Sequence, residues 1–325
     1  MSKIRSLLGG VVCLAVAVGG YWLVINRQLV FDQVRVWQYR PDEAITRLAQ
    51  RATMTDRAKF YFYLAHPRLE GASQFNQDCR RVEKASPIIG CYVQGKDTIH
   101  IYNVADQQLD GIKEVTAAHE MLHVAWSRYS AEQRARLSQL LEAAYQRVKT
   151  DKLAKRMAYY ERAQPGSRAN ELHSILGTEF ADLGDELERH YAGYIADRSA
   201  LLRLHAHYNQ QFEAAEAQAE TLSAQLARRK SEIEQLTTRY LADVTTYNRQ
   251  VEDFNTRAQA NRFSSQAEFV SERAALAATG EQLKHRQQTI SQKIDAYNSA
   301  AEKLNALGRQ IDQLNNSLDS QKAVQ

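Results

Sequence analysis

Only four prolines and fourteen glycines interrupt this chain of 325 residues. Turns are therefore scarce, and long helices are expected to carry most of its length. A surplus of one charge is also missing. There are 42 Lys and Arg against 38 Asp and Glu, a net of +4, and the two signs are interleaved from end to end. Phosphate neutralisation needs a clustered cationic face, so no nucleic-acid partner is expected. Thiols are few as well. Of the three cysteines, Cys13 lies in an apolar run and only Cys79 and Cys91 remain. A pair alone cannot complete a zinc site, whereas a loop of that size can close as a disulfide contributing about 2–3 kcal/mol in an oxidising compartment. Cys79 and Cys91 are expected to be bridged.

What the chain does have begins with an uncharged run from Leu7 to Ile25. At about 1.5 Å per residue it reaches roughly 28 Å, close to the hydrocarbon thickness of a bilayer. A cleaved signal is the competing reading, but the apolar run continues well past the conceivable site after Ala15-Val16-Ala17. Val12 before Cys13 excludes a lipoprotein. The expectation is a single-pass anchor within residues 1–27. Lys3 and Arg5 before the span nearly balance Arg27, Arg35 and Arg40 after it. Long domains behind a first span usually translocate, so the C-terminal bulk is expected to be extracytoplasmic.

Gln28 to Arg51 reads as helical, with Asp42 opening a second short helix after Pro41. Lys59 to Leu64 (KFYFYL) is dense in aromatics and reads as a strand, followed by a polar loop to Cys79. Ile88–Val93 and Thr98–Val104 flank Gln94-Gly95-Lys96-Asp97, a hairpin signal. From Asp110 the pattern is helical. Ile112, Val115, Ala118, Leu122 and Trp126 predict a helix over 111–127. Ser130 with Gln133 reads as a capping box for a helix to about Val148. Pro165-Gly166 marks a loop, a helix follows from near Ala169, and Asp185 with Glu188 is expected to cap the start of a very long helix. Two apolar seams, Leu222 to Phe254 and Leu276 to Leu318, stand either side of a break at 261–265 and predict an antiparallel helical hairpin or coiled coil.

The chemistry concentrates in V-T-A-A-H-E-M-L-H-V-A-W. Four residues turn about 400° on a helix, so His119 and His123 share a face and can share a metal. Glu120 sits about 100° round, placed to take a proton from water that bound zinc has acidified to a pKa of about 7. The competing reading is a pair of packed core histidines.

These residues resemble the HExxH site of the gluzincins, zinc peptidases whose third ligand is a downstream Glu. The metzincin pattern is absent, since Tyr129 stands six residues after His123 with no intervening Gly. Asn170-Glu171-Leu172-His173-Ser174 is similar to the NExxS run that supplies that ligand, which points to Glu171. Glu179-Phe180-Ala181-Asp182 is similar to an E-x-x-A-D version one residue too short, which leaves Glu179 as the alternative. Ile175 stands where an Asp often supports a histidine ligand.

The resemblance covers roughly residues 98–200. It implies a substrate-binding edge strand at Thr98–Val104, with Thr98, His100 and Tyr102 along it, and an oxyanion donor drawn from His173, Tyr191 and Tyr194. His190 and His205 read as solvent-facing. The expected class is α+β but mostly helical. A small zincin-like domain (28–200) carries the β-hairpin and the HExxH helix, and a helical hairpin (201–325) follows. The function implied is a zinc endopeptidase acting on a peptide or protein substrate through Glu120. The alternative is a non-enzymatic envelope scaffold that binds a protein partner on its coiled coil and keeps a structural or degenerate zinc site.

Overall fold

A computed structural model describes residues 21–79 and 88–323. The chain is mostly helical, with one small sheet and a long helical hairpin. Its contacts divide it into two units. The first takes Met1–Gln211 with Leu314–Gln325, and the second takes Phe212–Gln313.

The first unit opens with helices α1 (Arg27–Gln38), α2 (Glu43–Arg51) and α3 (Asp56–Leu64). Asp42 caps α2 as expected, its carboxylate accepting from the Ile45 N–H at 2.8 Å. The strand expected at KFYFYL is corrected: it is helix α3. Thr55 caps it by accepting from the Ala58 N–H, and Ala58 and Phe62, one turn apart, are both fully buried. Aromatic preference for strands is a packing preference, and here a helical face against the core satisfies it better.

The polar loop expected before Cys79 also contains structure. Strand β1 (Arg68–Glu70) and helix α4 (Ala72–Asp78) lie there. Strands β2 (Gly90–Val93) and β3 (Thr98–Tyr102) form the expected antiparallel hairpin, and β1 adds to β3 in parallel, giving the order β1-β3-β2. The turn residue Asp97 has φ +50°. It is held by Tyr92 and by Arg128, which also grips Asp32 of α1 at 2.9 Å. Cys79 and Cys91 form a disulfide.

Helix α5 (Ile112–Ser127) runs through the core, followed by α6 (Ala131–Val148), α7 (Asp151–Ala163) and α8 (Arg168–Glu179). The capping box at Ser130 and Gln133 is present. Helix α9 (Asp185–Ala192) is short, which corrects the long helix expected from Asp185. The chain leaves it at Gly193 because residues 193–196 bond to 53–55. The Thr55 N–H donates to the Tyr194 carbonyl at 2.9 Å and the Ala196 N–H to the Thr53 carbonyl at 2.8 Å. The long helix α10 (Arg198–Gln259) begins only afterwards, and α11 (Gln266–Leu318) returns.

In the second unit the hairpin is antiparallel. Asp243 bonds Arg286, Glu232 bonds Lys293 and the Arg229 side chain reaches the Ala296 carbonyl. Phe254, Phe263 and Phe269 pack at the turn with centroids 5.2 Å apart. Residues after Leu314, expected with this arm, bond within the first unit instead. Ser317 donates to Asp106 at 2.9 Å and Ser320 to Asn76 at 2.6 Å.

The single-pass membrane placement expected from the sequence is corrected. Among the described residues no helix is long and apolar enough to cross a membrane. Of the run 7–25 that motivated it, residues 7–20 lie outside the described residues. Tyr21–Ile25 are helical up to a turn at Asn26, too short a stretch to span a bilayer. The extracytoplasmic placement of the bulk falls with it.

Gly177 does not break α8. A Cβ there would meet Tyr191 Cε1 at 2.6 Å and Leu122 Cδ1 at 2.8 Å, so α8 packs this closely on α5 and α9 only because position 177 has no side chain. Gly177→Ala should lower stability by about 1–2 kcal/mol, the overpacking cost less the helix-propensity gain. A denaturant midpoint unchanged or raised would show slack at this contact.

Candidate metal centre

Helix α5 starts at Gly111, whose φ of +96° and close approach to Leu204 leave no room for a side chain. Apolar residues all around the helix sink it into the core: Val115, Ala118, Met121, Leu122 and Ala125 are at most 4% exposed. Its polar groups are thereby buried too, and each has to be met by a partner from a neighbouring element.

His119 and His123 lie one turn apart with their Nε2 atoms 3.1 Å from each other and their rings edge to face. Glu171, in the first turn of α8, brings its Oε2 to 3.9 Å from His119 Nε2 and its Oε1 to 3.8 Å from His123 Nε2. One donor atom from each of these residues falls within a 4.8 Å cluster. Glu171 Oε2 is buried without a hydrogen-bond partner among the described residues. Two nitrogens sharing a tetrahedral ion at bond lengths of about 2.05 Å stand about 3.3 Å apart. The imidazole pair is already near that separation, and the carboxylate has to close by only a few tenths of an ångström. Two imidazoles and a carboxylate suit zinc.

His123 Nδ1 donates to Asn170 Oδ1 at 2.9 Å, with Ser174 Oγ at 3.3 Å. These bonds fix the tautomer that leaves Nε2 free as a ligand. The support therefore comes from Asn170 and Ser174, and Ile175 is a core residue with no exposure. Burial, then the neighbouring His123, push His119 far below the ordinary histidine range, so its ring is neutral. Burial also opposes charge on His123, but Glu171, Glu120 and the bond to Asn170 outweigh it and hold its pKa above the usual value.

Glu120 is 5% exposed. Burial raises its carboxyl to about 7; His123 and a backbone N–H from Tyr92 pull downward, and Glu171 pushes upward. Strand β2 comes this close because position 90 is glycine: a Cβ there would lie 2.8 Å from Glu120 Oε1.

Several expectations change. Glu179 is not in the cluster. It is held by Arg156 at 2.7 Å, with His205 at 3.7 Å, so His205 is not solvent-facing either. Thr98–Val104 cannot be an edge strand, because β3 is the central strand with β1 on one side and β2 on the other. Thr98, His100 and Tyr102 are thus enclosed within the sheet, and the edge beside Glu120 belongs to β2. The proposed oxyanion donors are engaged elsewhere. His173 Nε2 meets His190 Nε2 at 2.9 Å, the Tyr191 hydroxyl donates to the His173 carbonyl at 2.8 Å, and Tyr194 bonds Tyr129 at 2.5 Å. His190, read as solvent-facing, is part of that buried group.

The sequence reading missed Gly90, Tyr92, Arg156 and Tyr160. Tyr160, raised to about 12 chiefly by burial, feels the charges of Arg156 and Glu171. Asn170 and Ser174 stood in the sequence only as the ends of the NExxS-like run, and nothing in the spacing of Tyr160 links α7 to the centre.

No family model, curated protein or solved structure matches the chain.

Glu171→Ala should weaken zinc binding at this centre at least 100-fold, whereas Glu179→Ala should leave it intact. The latter should cost about 1–3 kcal/mol of stability by removing the carboxylate partner of Arg156. Metal affinity and unfolding measured on both variants check this, and the reverse ranking would give the ligand role to Glu179.

His190 supplies a pH test. Burial, aided by Arg57, lowers its pKa to about 4, against about 6.5 in an unfolded chain. Between those values the unfolded chain takes up a proton that the folded chain refuses. Stability should therefore fall by about 2–3 kcal/mol as pH drops from 6.5 to 4. His190→Gln should flatten that slope, and equal slopes in both proteins would exclude His190 as its source.

Proposed function

We propose that this chain is a zinc-dependent endopeptidase of the gluzincin kind, with a zincin-like pairing of β-hairpin and HExxH helix. The observation that carries this reading is the convergence of His119, His123 and Glu171 on one point, with Glu120 buried beside it. Zinc held by those three side chains would supply a Lewis acid that polarises a carbonyl and acidifies water. Glu120, with a pKa near 7, is matched to accepting a proton and returning it to a leaving amine near neutral pH. Asn170 and Ser174 orient His123. The β2 edge is the place for an extended peptide to add by main-chain hydrogen bonds, and the helical hairpin is the place for a protein partner.

A second reading is supported by one specific contact. The Tyr92 N–H bonded to Glu120, with Gly90 packed against the same carboxylate, ties up the group that the peptidase needs. In that reading the centre is structural and the chain is a scaffold acting through its hairpin.

Glu120→Gln separates the two. It should retain zinc at the centre while kcat/KM for an unstructured peptide falls about 10²–10⁴-fold. A zinc-loaded wild type that cleaves no peptide would favour the scaffold, and a Gln variant as active as wild type would remove Glu120 from the role of base.

A further inference from the structure

We propose a second divalent-cation site, formed by Glu70, Asp78 and His100 on the sheet face turned away from the first centre. Side chains alternate across a strand. Ile99 and Ile101 of β3 enter the core that holds α5, so His100 between them points to the other face, the one covered by α4. Glu70 reaches that face from β1, which pairs with β3 in the register Arg68–His100 and Glu70–Tyr102. Asp78, the last residue of α4, arrives from above. Three separate elements thus bring donor atoms to within 4.8 Å of one another.

His100 Nδ1 lies 2.9 Å from Glu70 Oε1 and 3.7 Å from Asp78 Oδ2. Its Nε2 faces Thr98 Oγ1 at 3.1 Å, a partner that takes the ring proton and leaves Nδ1 to a metal. Gln74 donates to Asp78 Oδ2 at 2.7 Å and fixes that carboxylate. The observation that points to a ligand is at Glu70. Its side chain is only 6% exposed, and its Oε2 has no hydrogen-bond partner among the described residues.

A simple ion pair between a protonated His100 and the two acids leaves that oxygen buried and unsatisfied, which is unfavourable for a charged group. A cation gripped by both Glu70 oxygens, Asp78 and His100 Nδ1 removes the cost. One imidazole and two carboxylates suit a first-row divalent ion, and we take zinc as the occupant. Asp78, 20% exposed, provides the way in from solvent. The site would clasp β1, β3 and α4 next to the Cys79–Cys91 bridge, since Cys91 is the register partner of His100.

The test uses the full chain, stripped of metal and titrated with Zn²⁺. Wild type should bind two equivalents. His119→Ala with His123→Ala should retain one, and adding Asp78→Asn should weaken that remaining ion at least tenfold while helicity stays unchanged. Asp78 is the residue to replace because it is the least buried of the three and the safest for folding. His100→Gln in the same background should act likewise. If the His119/His123 double variant binds no zinc, or if Asp78→Asn leaves the second affinity where it was, the cluster is an ion pair and the proposal is wrong.

Discussion

A helix buried on all sides has to find a partner for every polar group it carries, and that requirement organises the first unit. Helix α5 carries Glu114, His119, Glu120 and His123 into the core. Arg51 meets Glu114 at 2.7 Å, Asn170 meets His123, the β2 backbone meets Glu120, and Glu171 faces both histidines. The partners come from three elements, Asn170 and Glu171 both from α8, so α2, α8 and β2 are placed by the demands of one helix. Uncompensated burial of any of these groups would cost several kcal/mol, a large fraction of what holds a domain together. Glu171 Oε2, facing the two histidines, is buried without a hydrogen-bond partner among the described residues.

The sheet repeats the arrangement on a smaller scale. Its inner face gives Ile99 and Ile101 to the core, and its outer face gathers Glu70 and His100 under α4. Central strand β3 therefore has the core that holds α5 on one face and the Glu70–His100 pair on the other. Its hydrogen bonds to both neighbours leave it no free edge.

The parts legible in the sequence were those set by local chemistry. The hairpin, the capping box at Ser130 and Gln133, the helix carrying HExxH and the break at 261–265 all follow from spacing and turn residues. The cap expected at Asp185 is absent, Gly184 standing there instead. Glu171, pointed to by a motif resemblance, does lie with the two histidines. The parts that were not legible depend on distant chain. KFYFYL is a helix because Thr55 caps it and the core lies on one side of it. The helix from Asp185 stops because residues 53–55, far away in sequence, bond to its end. Tyr160 reaches the centre by tertiary packing that no periodicity announces, and β1 is too short to show an alternation of its own.

The order of the chain in the first unit sets the timing of its folding. Leu314 is 1% exposed and Ser317 and Ser320 bond to Asp106 and Asn76, yet the whole of Phe212–Gln313 is translated between these residues and the rest of their unit. On a ribosome adding about 5–20 residues per second, the surface around Asn76 and Asp106 waits roughly 10–50 seconds for its cover. The helical hairpin, rich in local contacts, can form during that pause. The last contacts of the first unit are therefore made only after its neighbour is complete, and the uncovered surface is open in the interval to any chaperone or partner that recognises it.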